Sequence, residues 1–434
     1  MKLTLLTSLA LSLCGSAFAL SGSGTEDDPF FLYGEDVYNK DVVLPYGGYY
    51  RCSSNYMNSL TSASGEDCIF VVGSVNTGKF VNLGYSAFHS TTLYLDKAEE
   101  AYVDFGNLTE FIGGSNVVAK TDYRTDGVIY GTAQFYESSD FYVTYCNVEN
   151  FGNIRFLTGG DQVSFSNNFV VSGSFVNNGL VEIRRGRIDI TGSFTNNKYL
   201  LLSTLDSELL VRGHGSFLSS ASKGLYLYNL TVESSGTFIQ TSAETLLINN
   251  YANLTGSLET GGDLLLNGGE FTLRGSLRTG GDIVLSNAIV DFVGSDIKTS
   301  DGALVGLVLA EGTKSIISYL NNKLEFASLE LNGADLTLDA LNPFVVSGEA
   351  WGGGDYHLII NNFTEGRVFI GSLDDEFDLS RVIALDKNGN DLGDVYYVNG
   401  YLTLVPEAST CALVFGLLSL TWAVGRGRKS RSAA

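Results

Sequence analysis

A three-residue step of glycine, a hydroxyl residue and an apolar residue recurs through the middle of this chain. Successive steps are separated by 19, 23, 21, 20, 19 and 19 residues, and residues 256–267 and 275–286 are closely similar throughout. A repeat of about 20 residues is the length of one solenoid coil, whose apolar side is buried against its neighbours. The steps are Gly173-Ser174-Phe175, Gly192-Ser193-Phe194, Gly215-Ser216-Phe217, Gly236-Thr237-Phe238, Gly256-Ser257-Leu258, Gly275-Ser276-Leu277 and the weaker Gly294-Ser295-Asp296.

The content of each repeat favours strands over helices. Between the glycines lie runs of three to six residues rich in branched and aromatic side chains, such as Tyr199 to Leu202 and Leu225 to Leu230. Short runs of this kind, bounded by Gly or Asn, are typical of strands. The Leu-x-x-Leu-x-Leu-x-x-Asn pattern of leucine-rich repeats is absent. The sequence therefore predicts an all-β fold, a parallel β-helix (β-solenoid) with coils of ~20 residues and the step glycines aligned along one turn.

Pairs of adjacent asparagines punctuate the same region. Asparagine tolerates left-handed backbone geometry and can hydrogen-bond a neighbouring turn. We therefore expect these pairs to lie between strands and to bond the next coil. The pairs are Asn167-Asn168, Asn177-Asn178, Asn196-Asn197 and Asn249-Asn250.

Composition limits the classes of protein that this chain can represent. Its 48 acidic and 26 basic residues give a net charge of −22, which repels nucleic acid and anionic lipid and can attract Ca²⁺ or basic partners. Its 51 glycines, 4 prolines and 12% aromatic residues fit short strands joined by tight turns. A disordered chain would lack those aromatics.

Changes in pattern divide the chain into five segments. The final segment before the tail has longer alternating strands, and Asn399-Gly400 within it predicts a hairpin turn that closes the solenoid. The segments are a signal peptide (1–19), an N-terminal β region or cap with the first coils (20–150), regular β-helix repeats (151–345), a C-terminal β cap (346–404) and a sorting tail (405–434).

Both ends of the chain indicate export. Met1-Lys2 is followed by the apolar stretch Leu3 to Leu13, and Ala17 and Ala19 form a small-x-small signal cleavage site. At the other end, Cys411 to Val424 is an apolar run shorter than the ~20 residues of a comfortable membrane span. We expect a short transmembrane helix there, with the basic residues that follow it on the cytoplasmic side.

Two short motifs resemble known bacterial families. Pro406-Glu407-Ala408, the apolar run and the basic end together resemble the PEP-CTERM sorting signal, although the family's third residue is Pro rather than Ala. The resemblance implies an exosortase-type processing enzyme as a partner and transient anchoring in the inner membrane; a plain C-terminal anchor is the alternative. The opening from Gly22 to Phe30 resembles the start of right-handed β-helix surface proteins and of autotransporter-adhesin-like passengers.

Three cysteines lie outside the two terminal signals. Cys52 and Cys68 could form a disulfide across a short loop in an oxidising compartment, which would leave Cys146 as a buried small residue. Sequence spacing does not show whether the two Cα atoms come close enough to bond.

The sequence contains no complete catalytic constellation. Residues 73–79 have the spacing of a phosphate-binding loop, but Phe80 replaces the hydroxyl that would hold Mg²⁺, so we expect an ordinary turn there. The loop from Asp386 to Asp394 alternates oxygen ligands as calcium loops do, without the glycine and glutamate of that motif, so a polar turn is favoured over Ca²⁺. Enzymatic β-helices use clustered carboxylates or a basic residue; here Arg184, Arg185 and Arg187 form one compact basic group. The carboxylates Glu182, Asp189, Glu208, Glu233, Glu270 and Asp291 are dispersed.

We therefore predict an exported, non-catalytic β-helical protein of the cell surface or extracellular matrix, with no cofactor. Its expected role is adhesion, or association with exopolysaccharide of a biofilm matrix or with a host glycan, and it contacts the membrane through its tail alone. Tyr226, Tyr228 and Tyr251 could stack on sugars, although tyrosine in strands is more often half-buried packing. The alternative is a polysaccharide lyase or glycoside hydrolase built on a β-helix.

Overall fold

The computed structural model describes residues 20–404 except residues 34–36, 45, 53–54, 63–66, 83–84, 96–99, 106–107, 113–114, 121–125, 131, 136–139, 145–146, 158–166 and 321–322. The structure is 62% strand with almost no helix, and its strands wind into a β-solenoid. A single 3₁₀ turn at Leu379–Arg381 interrupts the described strands. The chain forms two compact units, one ending at Leu307 and the other beginning at Val308. The predicted all-β solenoid is confirmed.

The first unit begins with coils that contain some of the longest strands in the described chain. These strands are β1 (Phe30–Leu32), β2 (Asp41–Leu44), β3 (Gly48–Cys52), β4 (Asn55–Ser62), β5 (Cys68–Asn82), β6 (Tyr85–Leu95), β7 (Glu100–Asp104), β8 (Leu108–Ile112), β9 (Asn116–Lys120), β10 (Asp126–Tyr130), β11 (Thr132–Phe135), β12 (Phe141–Thr144), β13 (Asn147–Asn150) and β14 (Asn153–Phe156).

Short strands of four or five residues dominate the rest of the first unit. They are β15 (Asn167–Val171), β16 (Ser174–Asn177), β17 (Leu180–Ile183), β18 (Gly186–Ile190), β19 (Ser193–Asn196), β20 (Tyr199–Leu202), β21 (Ser207–Val211), β22 (Ser216–Ser219), β23 (Leu225–Val232), β24 (Thr237–Gln240), β25 (Leu246–Leu254), β26 (Ser257–Thr260), β27 (Leu264–Asn267), β28 (Glu270–Leu273), β29 (Ser276–Thr279), β30 (Ile283–Ser286), β31 (Ile289–Phe292) and β32 (Asp296–Thr299).

The strands in these coils pair in parallel with strands of the adjacent coils, and each coil has three strand positions. The first face contains β16, β19, β22, β24, β26, β29 and β32. The second face contains β17 and β20, the first halves of β23 and β25, and then β27 and β30. The third face contains β18 and β21, the second halves of β23 and β25, and then β28 and β31. Alternate side chains on every face point inward to the core.

The first six of the repeated steps have the same backbone role in their coils. The hydroxyl residues of the first six steps pair in register along the first face, so the predicted alignment of the step glycines is confirmed for these six. It is wrong for the seventh, because Ser276 pairs with Asp296, which places Ser295 rather than Gly294 beside Gly275. The carbonyl of Gly173 accepts from the backbone N–H of Ser193 at 2.8 Å, and the carbonyl of Gly192 accepts from that of Ser216 at 2.8 Å. A Cβ on Gly192 would lie 2.0 Å from the Gly173 oxygen, so the close approach of successive coils requires glycine there.

The apolar residue of the step forms an aromatic column in the core. The rings of Phe175, Phe194, Phe217 and Phe238 are almost fully buried. Their centroids are 5.1, 5.5 and 4.8 Å apart in successive coils. These distances lie in the favourable range for aromatic pairs, so the column adds contact energy to its apolar burial.

The segment predicted as an N-terminal β region or cap with the first coils consists of parallel coils. Strand β1 pairs in parallel with β3, and β3 with β5. A second aromatic column runs through these coils, because Tyr50, Phe70, Phe88 and Phe111 stack with centroid distances of 5.8, 4.6 and 5.0 Å. Parallel coils therefore begin at the first described strand.

The second unit also consists of parallel coils and ends in a hairpin. The parallel coils predicted to stop at residue 345 continue beyond it, because β38 pairs with β40 and β39 with β41. The predicted hairpin at Asn399-Gly400 is confirmed by antiparallel pairing of β42 and β43 and by positive φ angles of 53° and 88°. Its strands are β33 (Leu307–Leu309), β34 (Lys314–Tyr319), β35 (Leu324–Phe326), β36 (Leu329–Glu330), β37 (Asp335–Asp339), β38 (Phe344–Trp351), β39 (His357–Asn361), β40 (Val368–Leu373), β41 (Val382–Ala384), β42 (Val395–Val398) and β43 (Tyr401–Leu404).

Candidate functional site

The compact basic group of the sequence is neutralised by carboxylates. The Arg184 guanidinium lies 2.8 Å from the carboxylate of Glu182, which is 8% exposed. Arg187 lies 2.9 Å from Glu208 in the register-matched position of the next coil. These arginines belong to a charged outer face and are partnered by acids of the same surface. Arg185 also approaches Asp206, at 3.6 Å.

A bidentate ion pair joins two further members of this surface. The carboxylate of Asp189 accepts hydrogen bonds from Arg212 at 2.7 and 2.6 Å. These hydrogen bonds with Asp189 raise the pKa of Arg212 above its ordinary value. Paired Arg–carboxylate geometry of this kind holds both side chains in fixed positions. Asp189 and Arg212 therefore form a rigid cross-coil contact.

The other candidate carboxylates do not face one another across the strands. In the described register, Glu208 lies opposite Arg187 and Asn229, and Glu270 lies opposite Tyr251 and Ile289. Asp291 pairs with Thr272, and Glu233 follows the end of β23. The fold thus brings none of these strand-borne acids directly opposite another within the described pairs.

The acidic loop of the second unit satisfies its own leading carboxylate. Asp386 Oδ1 accepts from the backbone N–H groups of Asn388 and Asn390 at 2.7 and 2.8 Å, and Asp386 Oδ2 accepts from the Asn390 amide at 2.9 Å. These hydrogen bonds, with the Asn390 side chain foremost, lower the pKa of Asp386 to about 2. The arrangement is a polar turn of the kind the sequence favours. Among the described residues there is no group of three or more His, Cys, Asp or Glu side chains that could hold a metal ion.

The segment with phosphate-loop spacing is extended strand. Residues 73–79 lie inside β5, which pairs with strands on both sides rather than leading into a helix. The sequence interpretation of a turn at this point is wrong. The long strand forms because apolar residues alternate inward on either side of Gly73, with Phe70 and Val75 both buried.

The two cysteines of the first coils are separated by the strand register. Cys68 pairs with Gly48, which precedes Cys52 by four residues in β3. Four residues of strand span about 13 Å, whereas the Cα atoms of a disulfide lie within about 7 Å. The predicted Cys52–Cys68 disulfide is therefore not formed in this fold. Burial raises the pKa of the Cys52 thiol to about 12. Cys146 lies outside the described residues.

Exposed aromatic and aliphatic side chains lie on the second face of the first unit. Tyr226 is 57% exposed, which corrects the expectation of half-buried packing at this position. On β20, Tyr199 and Leu201 are 44% and 42% exposed. The alternation Leu-Tyr-Leu-Tyr from residue 225 is the sequence signal that could have predicted this arrangement, because Leu225 and Leu227 point inward.

Tyr226 begins a column that continues in register through the following coils, and Tyr199 and Leu201 lie on β20 in the coil before it. Tyr226 pairs with Leu247, Leu247 with Leu265, and Leu265 with Val284. Each of the last three is half-buried and alternates with fully buried neighbours. We call this surface the tyrosine–leucine strip, and it comprises Tyr199, Leu201, Tyr226, Leu247, Leu265 and Val284.

Amide side chains lie beside the strip. Asn267 follows Leu265 by two residues in β27 and so shares its outward face. Its amide donates to Asn249 Oδ1 at 3.0 Å across adjacent coils. Each amide carries two donors and two acceptor lone pairs, so this single bond leaves hydrogen-bonding capacity on both. The strip therefore combines aromatic rings with polar groups along one edge.

The terminal signals predicted from the sequence lie outside the described residues. These are the signal cleavage residues Ala17 and Ala19, the motif Pro406-Glu407-Ala408 and the apolar run after it. Within the part of the chain that the structure describes, no helix is long and apolar enough to cross a membrane.

The fold defines this chain as a β-solenoid protein. Comparisons with protein-family models, with curated proteins and with solved structures gave no match.

Proposed function

We propose that this chain is an exported, non-catalytic β-solenoid of the bacterial cell surface or extracellular matrix, and that it associates with polysaccharide. The observation that carries the proposal is the tyrosine–leucine strip. Exposed tyrosine rings beside amide groups offer the stacking surfaces and hydrogen bonds that sugars need. A regular solenoid face presents such groups repeatedly along a line, which suits a polymer.

The surface charges support binding rather than cleavage. Polysaccharide-cleaving enzymes need two carboxylates placed on either side of the scissile bond, or a carboxylate and a base that can exchange protons. Glu182, Glu208 and Asp189 instead accept hydrogen bonds from arginines. Their oxygens are therefore engaged by arginine side chains instead of being presented together to a substrate.

Binding and cleavage can be separated in one experiment. The protein, expressed from the full chain in a Gram-negative host, is incubated with insoluble cellulose, chitin and cross-linked alginate. Retention on a polysaccharide without release of new reducing or unsaturated ends is the expected result. Release of such ends would establish the alternative, a lyase or glycoside hydrolase, and retention on none of a broad polysaccharide panel would overturn the proposal.

Export and sorting make a second part of the proposal. The small-x-small residues Ala17 and Ala19 and the tail from Pro406 onward support secretion followed by exosortase-type processing. Mass spectrometry of the surface or extracellular protein should find a chain that lacks both ends. Recovery of an intact peptide containing Trp422 from the extracellular fraction would contradict processing.

A further inference from the structure

The side chains of the tyrosine–leucine strip are uncharged, although the protein is acidic. None of its six side chains is ionisable at neutral pH, while the chain carries a net charge of −22. From β20 to β30 the strip crosses five successive coils, a length of about 19 Å at the usual strand spacing. Tyr199, Leu201 and Tyr226 are exposed and the other three side chains are half-buried. Exposed apolar side chains that lie in a row rather than singly are typical of a binding site.

Three kinds of partner could cover such a surface, and charge distinguishes them. A second copy of this chain would bring two molecules of the same sign together, and an acidic polymer would be repelled in the same way. An uncharged polymer approaches without this repulsion. The exposed rings of Tyr199 and Tyr226 then favour a sugar polymer, because the apolar faces of sugar rings can stack on tyrosine while their hydroxyls remain solvated.

Local contacts distinguish the two tyrosines. The Lys223 ammonium lies 5.6 Å from the centroid of the Tyr199 ring, a cation–π contact that fixes this ring and places a donor beside it. Tyr226 is the more exposed of the two and heads the column that continues to Val284. Tyr226 is therefore placed to make the principal stacking contact.

We propose that the tyrosine–leucine strip binds an extended, uncharged polysaccharide that lies along the solenoid axis. Tyr226 stacks on one sugar ring, Tyr199 on a neighbouring one, and Asn249 and Asn267 bond sugar hydroxyls. The inference rests on the proposed association with polysaccharide and adds its site and its ligand class.

Affinity electrophoresis of the full-chain protein tests the site. Native gels contain hydroxyethyl cellulose, xyloglucan or galactomannan as uncharged polymers, and alginate as an acidic one. The protein should be retarded by at least one uncharged polymer and not by alginate. Tyr226→Ala should weaken the apparent affinity by about fivefold to tenfold, the range of a lost aromatic contact. Tyr226→Phe should retain most of the affinity because the ring is kept.

Tyr251→Ala is the matched control, since Tyr251 is also an exposed strand tyrosine, at 38%, but lies on the third face. It should bind as the wild type does. If the wild type binds and Tyr226→Ala binds equally well, the site is wrong while the proposed function stands. If no polymer retards the wild type, the proposed association with polysaccharide and the proposed site are both wrong. Preference for alginate, or a wild-type dimer that Tyr226→Ala converts to a monomer, would also overturn the inference.

Discussion

The phenylalanines of the repeated step contact their counterparts one coil above and one coil below. The Phe217 ring is 1% exposed and lies 5.5 Å from the Phe194 ring and 4.8 Å from the Phe238 ring. We expect Phe217→Ala to lower the free energy of unfolding by about 3–5 kcal/mol, through lost burial and the cavity left in the column. Urea denaturation followed by circular dichroism measures the change.

Leu218 provides the control for that substitution. It is the next residue of the same strand, points outward and is 36% exposed. Leu218→Ala should change the free energy of unfolding by much less. If both variants lowered the free energy of unfolding equally, Phe217 would not point into the core and Leu218 outward, as the structure has them.

The buried side chains of Asn150, Asn177 and Asn196 hydrogen-bond one another in successive coils and form an asparagine ladder. The Asn177 amide donates to Asn196 Oδ1 at 2.8 Å and to the Tyr199 carbonyl at 2.9 Å, while its oxygen accepts from the Asn150 amide at 2.9 Å. The sequence assigned both members of each Asn pair to turns. In these coils the first member instead ends a strand and is fully buried, and Asn178 follows it in the turn.

We predict that Asn177→Ala lowers the free energy of unfolding by about 1–3 kcal/mol, because its neighbours in the ladder are left with unsatisfied buried groups. Asn197→Ala is the control, since Asn197 makes a similar side-chain bond to Asn178 but at an exposed position. Thermal and urea denaturation of both variants give the comparison. A larger loss for Asn197→Ala would contradict the ladder's role in the core.

At the scale of strands and coils, the sequence predicts regular coils where the step repeats, whereas for residues 20–150 it predicts first coils without their register. The step marks each coil between residues 192 and 277 because the close approach of successive coils there requires glycine. The earlier coils have stacked aromatic residues at unequal intervals, such as Phe70 and Phe88, and the glycine step does not recur there at a regular spacing. The register of the coils in that region depends on which residues of neighbouring coils face the core together. No single short motif in the sequence identifies those residues.

The strip was only partly accessible to sequence reasoning for a related reason. Tyr226 was recognised as a residue that could stack on sugars, but its continuation through Leu247, Leu265 and Val284 follows from cross-coil register. Those residues also resemble ordinary core leucines. A register shift between Leu227 and Asn229 further hides the periodicity. Residues that stack on the surface of a solenoid can therefore be identified only after the register between its coils is known.

A cluster of charged side chains that spans adjacent coils of the second unit should make the free energy of unfolding depend on pH. Asp335 lies 2.9 Å from both the Lys314 ammonium and His357 Nδ1, and the hydrogen bond from Lys314 is the main cause that lowers the pKa of Asp335. A carboxyl with a lowered folded-state pKa stabilises the fold above its unfolded pKa of about 3.9. That contribution disappears as the pH falls through the lower folded-state value.

Asp335→Asn should therefore reduce the free energy of unfolding at pH 7, by at most about 1 kcal/mol because the pair is partly exposed. The difference from the wild type should shrink as the pH falls below about 4. Asp375→Asn, at an exposed position of the same unit, is the control and should show no such trend. A difference that persists unchanged to pH 2 would exclude the carboxylate as its cause.

At the scale of the whole molecule, acidic charge opposes folding into closely stacked coils. The chain has 48 acidic and 26 basic residues, so at least 22 carboxylates have no basic residue to balance them. Ion pairs such as Arg212–Asp189 act in the opposite direction and are weakened by salt. Because the unbalanced acids are nearly as numerous as all the basic residues together, we expect repulsion to dominate the response to salt.

The Tm should consequently rise when NaCl is increased from about 10 mM to about 150 mM, as the screening length falls from about 30 Å to about 8 Å. Differential scanning calorimetry at pH 7 measures the effect, and KCl at the same concentrations should act alike because screening does not depend on the identity of the cation. Equal additions of MgCl₂ and CaCl₂ should also agree with each other. A larger rise with CaCl₂ would indicate specific binding of calcium, whereas a Tm that falls with NaCl would mean that the cross-coil ion pairs outweigh the repulsion.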